Sequence, residues 1–294
     1  MLNVSMRKRL LLAVVLAFGA PVSAHSQSNT QGAVPSGYDK TTVTPHFVIA
    51  WNQDETAPLD MAAFQALAET LFVRMSQFLG KERTPAKKLV LILDGDARLP
   101  NWRYKTPHVD GSGRIVVYHY PGRGYIGELA HEMAHAFRAS FRRAWDGFIE
   151  EGFAEFVATI VHPEVEGFPR YGYPLTVVAG HWLASEADIP LEKLRNQHGT
   201  LNLRCKFQSY PLRAAFFHYL NERFGKAAVF RLVYSYANGR DQIFQKTFGE
   251  NFDQLAAKWR EDLLTKFHSF PEAEKLAKTY RKETPIQYWP PCNE

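Results

Sequence analysis

The sequence predicts an α+β protein, with a small β-sheet first, then a helix bearing two histidines, then a largely helical second half. Three observations carry this. Short β-type runs occur at residues 46–51, 88–94 and 114–120. His131-Glu132-Met133-Ala134-His135 follows them in a helix-tolerant stretch. Beyond about residue 140 the composition turns helical.

In chain order, residues 1–24 read as a secretory signal: basic Arg7, Lys8 and Arg9, an apolar run from Leu10 to Val22, and the small-residue cleavage site Val22-Ser23-Ala24. This predicts a periplasmic or secreted protein of bacterial type. The apolar run is too short for a membrane span, so no stable membrane association is expected once the signal is cleaved. The whole chain carries a formal charge of +5, and those three basic residues account for much of it. About +2 remains, which argues against nucleic acid as a partner. Residues 25–44 are polar and read as a disordered lead-in. Residues 59–79 place Met61, Phe64, Leu67, Leu71, Phe72, Met75 and Phe78 at helical spacing, a core stripe. Lys88 to Asp94 is continuously apolar between its ends, which suggests a strand buried on both faces. Asp110-Gly-Ser-Gly113 reads as a turn before the strand Arg114–Tyr120.

In a helix, residues four apart lie on one face, so His131 and His135 can grip one zinc ion. Glu132 beside them can take a proton from a zinc-activated water. A second helical segment, Phe148 to Phe156, is mostly apolar yet carries Glu150, Glu151 and Glu155. Acids on a mostly buried helix need partners. Glu151 can supply the third ligand, and Glu155, one turn on, can accept the free N–H of a ligand histidine. Fifteen residues separate His135 from Glu151, which keeps Glu150 as an alternative; Glu151, directly before Gly152-x-Ala154, is favoured.

H-E-x-x-H followed by E-G-x-A resembles the gluzincin zinc metallopeptidases. The resemblance implies His131, His135 and Glu151 as metal ligands, Glu132 as general base and Glu155 as the acid behind a ligand histidine. It further implies a zincin-like fold, with a small mixed sheet before the zinc helix and an α-helical C-terminal subdomain after it. Residues 114–120 then match the edge strand that pairs with an extended peptide. No G-x-x-H follows His135, so the metzincin pattern is absent. Tyr210, Phe216, Tyr219, Leu220, Phe248, Gly249, Leu255 and Trp259 are similar to the peptidase-MA-like bacterial branch, so the resemblance spans residues 45–268. The family's oxyanion donor comes from the helical half. Tyr210 is the candidate, with His218, Tyr171 and Tyr173 behind it.

The rest of the second half reads as a Gly/Pro/Tyr-rich loop around Phe168–Pro174, a helix from Tyr210 to Gly225, an apolar run at 228–236 and an amphipathic run from Ile243 to Phe267. Residues 269–294 are expected to be a tail. The expected domain is therefore 45–268, its sheet half ending near residue 140. Arg138, Arg142 and Arg143 read as a solvated helix face. Gly122-x-Gly-x-x-Gly127 matches a dinucleotide fingerprint, but Pro121 and the want of a following strand argue against it. Cys205 and Cys292 could pair in an oxidising compartment.

The predicted function is a secreted zinc-dependent peptidase, with a peptide or protein as substrate and Zn2+ as cofactor. The alternative is a non-catalytic zinc-containing module binding peptide or cell-wall material. An amide hydrolase with non-protein substrates is a third reading. Oligomeric state and side-chain preference have no sequence signal.

Overall fold

The computed structural model describes residues 30–31, 34–53, 60–96, 98–99, 103–104, 107–120, 124–125, 128–139, 146–162, 173–185, 203–235 and 240–283. The expected signal at 1–24, Tyr171, Arg142, Arg143, Cys292 and the side chain of Cys205 lie outside them, and with them the Cys205–Cys292 pairing. Most of the Gly122–Gly127 pattern does too.

The strands are β1 (Thr30–Gln31), β2 (Lys40–Val43), β3 (Phe47–Trp51), β4 (Lys88–Asp96), β5 (Arg98–Leu99), β6 (Arg103–Tyr104), β7 (His108–Val109), β8 (Ile115–Tyr120) and β9 (Gly124–Tyr125). The helices are α1 (Met61–Leu79), α2 (Leu129–Ala139), α3 (Gly147–Val161), α4 (Leu175–Ala184), α5 (Leu203–Phe224), α6 (Lys226–Ser235), α7 (Arg240–Phe248), α8 (Phe252–Ser269) and α9 (Ala273–Glu283). Among the described residues the fold is mixed α+β, with the strands in the first part and helices making up the rest.

The sheet runs β2-β3-β4-β8-β7, and β5 and β6 form a separate hairpin pair. β3, β4 and β8 are parallel to one another, while β2, β7 and β9 run antiparallel to their neighbours. The sheet is thus mixed. Alternate side chains of β4 explain its continuous apolar run: Leu89, Leu91 and Leu93 join the main core. Val90 and Ile92 face the other way, into a smaller cluster with Val116, Tyr118, Val34 and Tyr38.

Two sequence expectations are corrected here. β8 is not a free edge: β7 covers Ile115 and Val116, and β9 covers His119 and Tyr120. Each cover is two residues long, too short to leave a hydrophobic pattern. The lead-in of 25–44 is ordered at its end, because Lys40–Val43 pairs with Val48–Trp51. The loop that follows is pinned to α1, where Glu69 accepts hydrogen bonds from the Thr44 hydroxyl at 2.5 Å and the His46 amide at 3.0 Å.

α1 forms where its apolar stripe predicts. Asp60 caps its first turn by accepting from the Ala63 amide, and Gly80, at φ +98°, ends it. The helical half is built round α3, buried along nearly its whole length and packed chiefly on α5 and α2. α5 starts before Tyr210 and runs through Pro211, which forgoes one backbone hydrogen bond. The long amphipathic run splits into α7 and α8, because Gly249 takes φ +76° and Asn251 opens a new helix with a capping box to Gln254.

The expected tail is also corrected. α9 lies against α4, burying Ala273, Ala277 and Tyr280, and the Trp182 indole N–H donates to the Tyr280 hydroxyl at 3.3 Å. Its apolar residues recur every three or four positions, a short stripe that the surrounding lysines and glutamates conceal in the sequence.

His218 is part-buried between α5 and α3. Its ring meets Phe156 edge-on at 4.8 Å. The Thr159 hydroxyl donates to the Phe156 carbonyl, so the Nε2–H of His218 donates to Thr159 at 2.8 Å. Burial, with Lys266 adding to it against the pull of Glu222, pushes His218 down from 6.5 to about 4. The unfolded chain therefore binds a proton that the folded chain refuses between those values. The stability this gives is complete above pH 6.5 and lost as pH falls to about 4. Across that window the parent should lose about 3 kcal/mol relative to His218→Gln. Urea unfolding at stepped pH measures it; parallel curves for the two proteins would refute it.

Candidate metal centre

α2 carries the histidine pair. Leu129, Ala130, Met133, Ala134, Ala136 and Phe137 are buried on its core side, leaving His131, Glu132 and His135 to face α3 and the cleft. α3 is capped by Asp146, whose carboxylate accepts from the Phe148 and Ile149 amides; Glu150 closes its first turn and Glu151 follows at once, both at the cleft. Gly152 explains its own place in the motif. A Cβ there would meet the Phe217 ring at 2.7 Å, so only glycine lets α3 lie this close to α5. The same close approach brings Tyr210 of α5 to the cleft beside Glu151.

The Nε2 atoms of His131 and His135 are 3.1 Å apart. Glu151 Oε2 lies 3.2 Å from the first and 3.6 Å from the second. Ligands about 2.0–2.1 Å from a tetrahedral zinc sit roughly 3.4 Å from one another, so the triangle has the size of a zinc face. The tautomer agrees. Glu155 Oε2 accepts the Nδ1–H of His131 at 2.6 Å, with both side chains buried. That leaves the His131 Nε2 facing a Glu151 oxygen, a meeting that a proton on Nε2 satisfies in the metal-free protein and a metal cation can satisfy in its place. Two imidazoles and one carboxylate are a zinc donor set. Among the described residues, His131, His135 and Glu151 are the one group whose donor atoms converge in this way.

The charges follow from that convergence. Burial alone would lower the His131 pKa, but Glu155, Glu151 and Glu132 around it raise it well above the usual imidazole range. Burial would raise Glu151, yet His135 and His131 hold it well below the ordinary carboxylate range. For Glu132, burial wins over both histidines, and Glu151 and Glu128 add to it, so its pKa is raised. A buried carboxylate on the wall of the cleft beside the two histidines is placed for proton transfer.

The structure separates the two candidate acids. Glu151 faces the histidines, whereas Glu150 is ion-paired to Arg138. Arg138 thereby corrects the reading of it as part of a solvated face: it is 4% exposed. Its partner lies on another helix, which no spacing along α2 could reveal. Tyr210 stands edge-on to His131, ring centroids 5.5 Å apart, on the wall of the cleft. The other candidates are elsewhere: His218 packs on Phe156, and Tyr173 packs on Tyr280.

The cleft holds about 390 Å³ and is bounded on the sheet side by residues 107–111 and Gly113. The Asp110 turn was predicted, but not that it forms this wall. Asp110 Oδ1 accepts from the Ser112 amide at 2.8 Å and the Arg114 amide at 3.1 Å, and Oδ2 accepts from the Arg114 Nε at 2.6 Å. A turn so tied makes a rigid wall.

No family model matches the chain, and no curated protein does. Among solved structures, an M1 zinc metallopeptidase from Deinococcus radiodurans aligns with 90% of this chain and 53% of its own, at 16% identity and a TM-score of 0.36. The chain spans about half the length of that protein. So distant a likeness leaves the functional question to the geometry of the site.

Proposed function

We propose that the protein is a zinc-dependent peptidase of gluzincin type, with His131, His135 and Glu151 as metal ligands and Glu132 as general base. The observation that carries this reading is the Nε2, Nε2 and Oε2 triangle with a buried glutamate of raised pKa in the same cleft. When bound, zinc supplies Lewis acidity towards a peptide carbonyl. The carboxylate of Glu132 takes the proton of the attacking water and delivers it to the leaving nitrogen. Glu155 holds His131 in the Nδ1–H tautomer, which keeps Nε2 available as a ligand. Tyr210, beside His131, is placed to donate its hydroxyl to the oxyanion that forms as the carbonyl is attacked. The substrate is a peptide or protein, and nucleic acid is not a partner. Residues 1–24 direct the chain to the periplasm or the exterior. Among the described residues, no helix is long and apolar enough to cross a membrane.

Elemental analysis of the purified protein tests the reading. About one zinc per chain is expected, with affinity much reduced in Glu151→Gln. A protein that takes up no zinc on reconstitution would overturn it, and a metal-free binding module would replace it. Tyr210→Phe should keep zinc and fold while kcat falls on the order of 10². Unchanged turnover would remove Tyr210 from the mechanism.

A further inference from the structure

We infer that Arg138 is a positioning residue for the carboxylate ligand: through its buried ion pair with Glu150 it fixes how α3 presents Glu151 to the histidines of α2. The inference rests on the metal-site reading above and extends it to a residue outside the ligand set.

Arg138 sits in the last turn of α2, three residues after His135. Its side chain is 5% exposed and that of Glu150 is 3% exposed. One guanidinium nitrogen, Nη1, donates to Glu150 Oε1 on α3, and the other, Nη2, donates to the Val233 carbonyl of α6 at 2.9 Å. A single planar group therefore ties together the helix of the two histidines, the helix of the carboxylate ligand and a third helix behind them. Glu150 directly precedes Glu151. Consecutive helical side chains point about 100° apart, so gripping Glu150 sets the rotation of α3 about its axis, and with it the direction of Glu151. Both members of the pair line the same cleft as Glu132, His135 and Glu151. A lysine would keep the charge but not the two-pronged reach.

A role in stability alone makes a different forecast. Buried ion pairs can often be replaced by apolar side chains of similar volume at little cost in stability. The test is therefore zinc affinity, read by chelator competition on the full chain, alongside thermal unfolding. The double variant Arg138→Met/Glu150→Met should unfold near the parent temperature yet bind zinc about 10-fold more weakly, as when outer contacts of a metal site are lost. Its cobalt-substituted form should show a visible absorption spectrum altered from the parent's. Parent-like zinc affinity in a folded double variant would overturn the proposal. Should that variant fail to fold, Arg138→Lys decides: weaker zinc binding is expected, and unchanged affinity overturns the proposal. A parent protein that binds no zinc would instead overturn the metal-site reading itself.

Discussion

Glu132→Gln should abolish peptide hydrolysis while leaving zinc content and fold intact. The substitution is isosteric, and the side chain it replaces is buried at 5% exposure, so no packing is lost. What disappears is the capacity to accept a proton, worth about 10² to 10⁴ in rate for a positioned base. Turnover of a quenched-fluorescent peptide mixture, beside elemental analysis of the same sample, makes the measurement. Activity that survives with zinc bound would place the base elsewhere.

Phe216→Ala should cost about 3–5 kcal/mol of stability, the range for emptying a fully buried aromatic site. Phe216 of α5 is 0% exposed. Its ring lies 5.5 Å from Phe148 of α3, 5.6 Å from Phe252 and 5.5 Å from Trp259 of α8, and 6.2 Å from Phe244 of α7. Four helices meet on one side chain, and little can move in to fill the space. Denaturant unfolding of parent and variant measures the loss. A shift under 1 kcal/mol would mean that the rings around it collapse inward.

The histidine helix and the glutamate helix were legible in the sequence because their chemistry is local. A pair four apart, and an acid before a Gly-x-Ala, need only a helix to acquire their geometry. The α1 stripe and the doubly apolar β4 were legible for the same reason, since period reports burial. What the sequence withheld depends on distant partners. Glu150 and Glu151 are neighbours with the same chemistry, and only Arg138, on another helix, distinguishes them. The covering of β8 rests on two-residue strands that carry no pattern. Gly152 belongs to the motif, but its purpose is a ring on α5. The α9 stripe was hidden among charged residues, and its role appears once Trp182 is seen beneath it.

That last contact gives the protein an optical reporter. Trp182 is 1% exposed, and α9 is the helix that presents the Tyr280 hydroxyl to its indole. Undocking α9 would open the indole to water and move its fluorescence to longer wavelength, ahead of any signal from the rest of the core. Trp182→Phe, subtracted from the parent, isolates that emission from the other five tryptophans of the chain. Detachment of the last helix can thus be timed separately from unfolding; a difference spectrum that shifts only with global denaturation would show the two to be one event.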